Sequence, residues 1–128
     1  MKPVSVLVID DEQVICDACQ LVLSEQGHAV TLTNTGADGL AAIRQGTYDV
    51  VLLDMKLPDM DGMEILKAVQ EEKRRLCIIV MTGYSSISNA VQAIKKGASE
   101  YLAKPFTDDE LLETIGNACV DTEQQPTT

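Results

Sequence analysis

Five polar residues whose types could do chemistry follow apolar runs of this chain. Asp10 and Asp11 end the first run, Asp54 the third, Thr82 the fourth and Lys104 the fifth. Carboxylates brought together repel one another, and at least one pKa rises unless a cation neutralises them. An all-oxygen cluster suits a hard cation, Mg²⁺ in preference to Zn²⁺, while lysine and threonine suit phosphoryl oxygens. Because a carboxylate can itself accept a phosphoryl group, these residue types predict magnesium-assisted phosphoryl chemistry.

The elements that must position these residues are strands and helices that alternate five times. The apolar runs typical of buried strands are residues 4–9, 29–33, 49–53, 77–81 and 101–102. Strands alternating with helices predict right-handed crossovers and a parallel sheet. In such a sheet ligands bind beyond the carboxyl ends of the strands, where the strand order reverses. The polar residues are therefore expected to converge on one edge.

Two helices carry specific expectations. The fourth helix has an apolar stripe made of Ile87, Val91 and Ile94. Thr107 and Glu110 have the spacing of a capping box, which predicts that the last helix begins there. The residues expected to face inward from that helix are Leu111, Ile115 and Cys119.

Composition excludes several classes of function. The 128 residues are 45% hydrophobic and 23% charged, which indicates one soluble globular domain. The net charge of −10 argues against binding to a nucleic acid backbone. No apolar run reaches the roughly 20 residues of a membrane span, and the N-terminal run is too short for a secretory signal, so a cytoplasmic location is expected. We expect the domain to span residues 1–120, with a polar tail or truncated linker at 121–128.

The cysteines raise an alternative that needs weighing. Cys16 and Cys19 form a C-x-x-C pair, which occurs in redox and zinc sites. A zinc site needs a second ligand pair, and the only histidine, His28, stands alone at the edge of a turn. A redox pair usually opens a helix, whereas this pair falls inside one. The favoured interpretation is that both cysteines are small core residues.

Two further alternatives concern the acidic segment Asp-Met-Asp at residues 59–61. It resembles the D-x-D of aspartyl phosphatases, but that motif ends an apolar strand and Pro58 precedes it here. It also resembles part of a calcium loop. Counting from Gly62, the first and last ligand positions of that loop would be Leu57 and Ala68, and neither can be a ligand.

Together these motifs resemble the response-regulator receiver domain of two-component signalling, over essentially the whole chain. The segment from Asp54 to Gly62 is similar to the family pattern D-x-x-L/M-P-x-M-D/N-G, and Asp10-Asp11 is similar to its acidic pair. The other matching positions are the switch hydroxyl Thr82, the switch aromatic Tyr101 and the K-P-F motif Lys104-Pro105-Phe106. The region from residue 82 to 102 is most similar to NtrC-type receivers.

The resemblance implies an α/β fold and a metal site. The expected fold is a single doubly wound (βα)5 flavodoxin-like domain, with a parallel five-stranded sheet in the order 2-1-3-4-5. Asp54 is the expected phosphoacceptor. Mg²⁺ is expected to contact Asp11, Asp54 and the backbone carbonyl of Lys56, while Asp10 acts mostly through water. The Lys104–Pro105 peptide bond is expected to be cis.

The resemblance also implies a switch. A sensor histidine kinase or phosphotransfer protein supplies the phosphoryl group, Thr82 moves toward it, and Tyr101 rotates inward. The surface of the fourth helix, fifth strand and last helix then changes its state. Lys56 and Tyr84 lie two residues beyond Asp54 and Thr82, and we expect them to tune the lifetime of the phosphoryl group.

No enzymatic activity is expected beyond magnesium-dependent self-phosphorylation from small phosphodonors and autodephosphorylation. The biological setting stays open at this point. The domain could control an effector domain after Thr128, act through a partner or a homodimer, or be a standalone adaptor or phosphorelay intermediate. Neither direct nucleic acid binding nor membrane contact is expected of this domain.

Overall fold

The five predicted strands form one parallel sheet. A computed structural model describes residues 2–83 and 87–123, without the side chains of residues 87 and 119–123. The strands are β1 (Ser5–Ile9), β2 (Ala29–Thr33), β3 (Val50–Asp54), β4 (Cys77–Gly83) and β5 (Glu100–Lys104). Their order in the sheet is β2-β1-β3-β4-β5, which confirms the predicted topology.

A helix follows each strand. The helices are α1 (Gln13–Glu25), α2 (Gly36–Gln45), α3 (Gly62–Glu71), α4 (Ile87–Lys95) and α5 (Asp108–Glu123). The predicted capping box of α5 is present, since Thr107 N–H donates to Glu110 Oε1 at 2.9 Å and Glu110 N–H to Thr107 Oγ1 at 3.1 Å. None of the described helices combines the length and apolar character that a bilayer crossing needs.

Alternate residues of the central strands feed two hydrophobic clusters, one on each face of the sheet. Val6 and Val8 belong to the cluster under α1 and α5, whereas Leu7 and Ile9 belong to the cluster under α2, α3 and α4. Each such side chain contributes about 1.5–3 kcal/mol when fully buried. The central strands therefore read as continuous apolar runs, because both of their faces are covered.

The C-x-x-C pair lies in the first of these clusters. Cys16 and Cys19 are both fully buried and both are free thiols. Burial raises the pKa of Cys16 to about 11 and that of Cys19 to about 12, so neither is a reactive thiolate at neutral pH. The interpretation of this pair as core residues is confirmed.

The expected apolar stripe of α4 does not form the buried face of that helix. Val91 is 47% exposed and Ile94 39% exposed, while Ala90 and Ala93 are fully buried. The side chain of Ile87 lies outside the described residues. Small alanines let the α4 backbone approach β4 closely, and the larger side chains on the neighbouring positions are then turned toward solvent.

Candidate functional site

The sheet brings the carboxyl ends of four strands to one edge, as the sequence predicts. Asp10 follows β1, Asp54 ends β3, Thr82 lies near the end of β4, and Lys104 ends β5. Lys104 Nζ lies 2.8 Å from Asp10 Oδ2 and 3.5 Å from Asp54 Oδ2. One lysine thus bridges carboxylates that lie 44 positions apart in the sequence.

Both of these carboxylates are buried. Asp10 is 0% exposed and Asp54 is 6% exposed. Asp10 Oδ1 accepts the Glu12 N–H at 2.8 Å, and Asp54 Oδ1 accepts the Lys56 N–H at 3.1 Å. Asp10 Oδ2 has only the ion pair with Lys104: among the described residues it accepts no hydrogen bond of acceptable geometry. A buried carboxylate oxygen with unused lone pairs is a site that a cation would satisfy.

The charges of the site perturb its pKa values. Burial raises the pKa of Asp54 to about 6, and the negative charges of Asp10 and Asp11 add to this effect. The Lys56 N–H and the positive charge of Lys104 act in the opposite direction. Burial by itself lowers the pKa of Lys104, but its close contacts with the carboxylates of Asp10 and Glu12 raise it overall. Lys104 is therefore a permanent cation, and Asp54 takes up a proton at a higher pH than an ordinary aspartate does.

A third carboxylate joins the cluster. Oxygens of Asp10, Glu12 and Asp54 all lie within 4.8 Å of one another. Glu12 Oε1 also lies 3.0 Å from Lys104 Nζ. Sequence reasoning did not assign Glu12 to the site, although its place directly after the acidic pair was a signal. These three carboxylates form the group among the described residues that could hold a metal ion.

Asp11 occupies a different place from the one its predicted role suggests. Its side chain is exposed, and it is not part of the converging group. Its charge nevertheless raises the pKa of Asp54, so it acts on the site electrostatically. Direct binding of Mg²⁺ by Asp11 stays a prediction. The donor set as a whole consists of carboxylate oxygens, which fits a hard divalent cation such as Mg²⁺.

The loop between β3 and α3 is closed at its base. Gly62 N–H donates to Met55 O at 3.0 Å, and Lys56 pairs with Asp61 in a short antiparallel bridge. A Cβ at Gly62 would lie 2.9 Å from both Asp54 O and Met55 Cα, so glycine is required for this close approach. The Lys56 side chain is exposed. The assignments of its carbonyl to the metal and of its side chain to phosphoryl lifetime stay predictions.

The proposed switch residues differ in exposure. Thr82 is 5% exposed, and among the described residues its hydroxyl makes one long contact, of 3.4 Å, with Gly83 O. Tyr101 is 45% exposed and pairs with Val80 across β4 and β5. Tyr84 lies outside the described residues. The Lys104–Pro105 peptide bond is cis, as expected.

Asn34 is a further residue that sequence reasoning missed. Its Nδ2 donates to Asp10 O at 3.2 Å, and the Cys16 thiol donates to the same carbonyl at 3.3 Å. Both side chains hold the backbone that carries the acidic pair. Asn34 sits in the turn after β2, where a polar residue is common, so the sequence carries no signal for this contact.

Comparisons with known proteins agree with this geometry. The sequence model of the response regulator receiver domain family matches residues 6–116. The transcriptional regulatory protein ZraR of Klebsiella oxytoca is 37% identical over 121 residues, which cover 94% of this chain and 27% of ZraR. The chain thus spans about a quarter of the length of that relative.

Solved structures show the same likeness. NtrX from Brucella abortus superposes with a TM-score of 0.90 at 30% identity, over 95% of this chain and 28% of NtrX. That neighbour agrees with the expected similarity to NtrC-type receivers. A CheY-like receiver domain protein from Methanospirillum hungatei JF-1 also has a TM-score of 0.90, at 32% identity, and covers 98% of this chain and 100% of its own.

Proposed function

Because this chain belongs to the response regulator receiver domain family, we propose that it is a phosphoacceptor switch in which Asp54 takes a phosphoryl group. A sensor histidine kinase or a phosphotransfer protein supplies that group, and small phosphodonors can replace them. The observation that carries the proposal is the placement of Lys104 Nζ between Asp10, at 2.8 Å, and Asp54, at 3.5 Å. A lysine held there can balance the charge of a phosphoryl group on Asp54.

The transfer itself uses the Asp54 carboxylate as nucleophile. A carboxylate oxygen attacks phosphorus and forms a P–O bond while the P–N bond of a phosphohistidine breaks. The electron pair of that bond stays on the imidazole nitrogen, which then takes up a proton. Attack requires the ionised carboxylate, and the positive charge of Lys104 favours that form.

We assign a Mg²⁺ site to Asp10, Asp11, Asp54 and the carbonyl of Lys56, with Glu12 close enough to take part. Oδ2 of buried Asp10 accepts no hydrogen bond of acceptable geometry from the described residues, and this oxygen and the all-oxygen donor set support the assignment. When bound, Mg²⁺ supplies positive charge that offsets the carboxylates and the phosphoryl oxygens. Lys104 lies beside Asp10 and Asp54 and supplies a second positive charge.

Phosphorylation changes the local charge by about −1.5 to −2 and adds three acceptor oxygens. Thr82 is buried, and the contact that its hydroxyl makes with the described residues is long, so a better acceptor can draw it away. Tyr101 then turns inward from its exposed position. The altered surface comprises α4, β5 and α5, where Val91 and Ile94 are already exposed. Apart from phosphorylation and autodephosphorylation, the domain performs no catalysis.

Two settings fit this switch. The ZraR relatives are named transcriptional regulatory proteins and are about four times as long as the matched region, which favours control of an effector domain in a transcription factor. A standalone adaptor or phosphorelay intermediate is the alternative setting. In either setting the domain acts through proteins, without binding nucleic acid directly, and the cytoplasm stays its predicted location.

The first test is intact mass after incubation with phosphoramidate or acetyl phosphate, with and without Mg²⁺. The proteins compared are the wild type, Asp54→Asn and the control Asp49→Asn, which removes an acid at the other end of β3. One added phosphate that requires Mg²⁺, appears in the control and is absent from Asp54→Asn is the expected result. No gain in the wild type, even with a panel of histidine kinases, would contradict the proposal and leave a phosphate-independent interaction module.

A further inference from the structure

We propose that Asp59 is a positioning residue that holds the loop 55–61 against the first turn of α2, and thereby holds Asp54 and the Lys56 carbonyl in the geometry that binds Mg²⁺. This inference rests on the proposed function. It concerns a residue outside the acidic cluster, which acts through the loop that carries it.

Both carboxylate oxygens of Asp59 accept backbone N–H groups of α2. Oδ1 accepts the Gly36 N–H at 2.8 Å, and Oδ2 accepts the Ala37 N–H at 2.9 Å. The first N–H groups of a helix have no partner inside the helix, so an acceptor from elsewhere is needed. The hydrogen bonds from Ala37 and Gly36 lower the pKa of Asp59, which keeps it ionised and bound.

Close packing supports the same contact. Gly36 is buried, and a Cβ there would overlap the side chain of Met60. That Cβ would lie 2.7 Å from Met60 Sδ and closer still to Met60 Cγ, well inside van der Waals contact. A side chain at residue 36 would therefore force Met60 to move, so the packing of the loop tip against the start of α2 depends on the glycine.

The base of the same loop is tied to the site. Lys56 N–H donates to Asp54 Oδ1 at 3.1 Å, and Gly62 N–H donates to Met55 O at 3.0 Å. Asp59 is the polar side chain of this loop that reaches a different element, α2. Removing its hydrogen bonds would free the tip and leave only the two hydrogen bonds of the base to hold the loop. Both would then open more often, and the position of Lys56 relative to Asp54 would be less well defined.

Thr35 separates this role from ordinary helix capping. Its Oγ1 accepts the Asp38 N–H at 3.1 Å, so it caps the same helix end without contacting the loop through that bond. Thr35→Ala therefore removes a cap of α2 and preserves the Asp59 contact. Asp38→Asn serves as a charge control, because it removes one acid from the same turn.

The experiment is a titration of each protein with Mg²⁺ alone, followed by amide NMR, with hydrogen exchange of the Lys56 and Gly62 amides measured in parallel. In Asp59→Ala we expect about tenfold weaker Mg²⁺ binding and faster exchange at both amides, as for loss of an outer-shell partner. Thr35→Ala is expected to lower the melting temperature about as much as Asp59→Ala does. It should nevertheless bind Mg²⁺ within twofold of the wild type. Asp38→Asn is also expected to bind Mg²⁺ within twofold of the wild type, and to keep the wild-type melting temperature.

The outcomes separate the two proposals. Asp59→Asn retains one acceptor oxygen and is expected to bind Mg²⁺ with intermediate affinity, and it replaces the alanine variant if that fails to fold. Unchanged Mg²⁺ affinity in both Asp59 variants, or the same loss in Asp38→Asn, would overturn the positioning role. If the wild type is phosphorylated at Asp54 in that case, only this inference fails. A wild type that binds Mg²⁺ through an Asp59-dependent loop but accepts no phosphate would reject the proposed function alone.

Discussion

At the amino edge of the sheet, where the strands begin, polar side chains pair with nearby backbone. Asp49 Oδ2 accepts the Ser5 N–H at 2.9 Å, and His28 Nδ1 accepts the Val4 N–H at 3.0 Å. At the carboxyl edge, Asp10 and Asp54 are buried around Lys104, and one oxygen of Asp10 accepts no hydrogen bond of acceptable geometry from the described residues. The two edges of the same five-stranded sheet are thus different electrostatic environments.

The difference shows how one sheet divides stability from chemistry. A polar group whose partner is a neighbouring strand end stabilises the fold, and its contribution does not depend on any ligand. Buried carboxylates that face each other destabilise the fold to the extent that their charge exceeds that of the cation between them, which here is Lys104. A metal ion that binds at the carboxyl edge would relieve this repulsion, and the relief would favour binding of the ion and of a phosphoryl group.

The largest effect is expected at the carboxyl edge, when the cation Lys104 is removed. In Lys104→Met we expect phosphorylation by phosphoramidate to slow by about a hundredfold or more, because a positive group at the reacting oxygens is lost. Timed intact-mass measurements give the rate. The control is Lys96→Met, an exposed lysine just beyond α4. Equal rates in the two variants would show that Lys104 does not contact the phosphoryl group.

Next in size is an acid removal that should stabilise the protein. The pKa of Asp54 is raised from 3.8 to about 6, so the folded state binds its proton more tightly than the unfolded state does. The stability that this tighter proton binding adds to the folded state is fully present below pH 3.8 and is lost as pH rises through about 6. Asp54→Asn is therefore expected to raise the free energy of unfolding by about 2 kcal/mol at pH 7 without Mg²⁺.

Urea unfolding at several pH values tests this expectation. The stabilisation by Asp54→Asn should shrink toward zero at pH 4 and should also shrink when Mg²⁺ is added at pH 7. A variant that is equally stabilised at both pH values would mean that shape, and not charge, sets the difference.

An acid removal at the amino edge should have the opposite sign. Asp49→Ala loses the hydrogen bond from Ser5 N–H, so we expect a loss of about 1 kcal/mol in the free energy of unfolding. Its phosphorylation rate should equal that of the wild type. Stabilisation of this variant, or a slowed phosphorylation, would remove the contrast between the two edges.

The smallest expected effect concerns His28. Burial lowers its pKa, and its Nδ1 must stay unprotonated to accept the Val4 N–H. The stability that it contributes is present above its ordinary pKa of about 6.5 and is lost as pH falls. His28→Asn places an amide oxygen near the Nδ1 position, so it should keep the bond and flatten the difference between pH 7 and pH 5, by less than about 1 kcal/mol. Identical pH slopes would contradict this.

Much of the fold and the centre of the site could be predicted from the sequence. Apolar runs and their spacing predict the strands and a parallel sheet, and the resemblance to receiver domains adds the strand order. The parallel sheet then brings Asp10, Asp54, Thr82 and Lys104 to one edge. The capping box of Thr107 and Glu110 was also predicted correctly. These features depend on interactions between residues that are close in sequence, or on a topology that follows from the alternation of elements.

Other features were decided by the tertiary structure. Hydrophobicity favoured Val91 and Ile94 for the buried face of α4, yet the buried residues are Ala90 and Ala93. The distance between helix and sheet decides which face of the helix packs against the sheet. The approach of Glu12 to Lys104 joins residues 92 positions apart, and Asp59 reaches Gly36 across 23 positions. Local propensity carries no information on such distances. They exist only once the sheet has set where each loop lies, so the sequence by itself determined the residues of the site's centre, and the packed structure decided which neighbours support it.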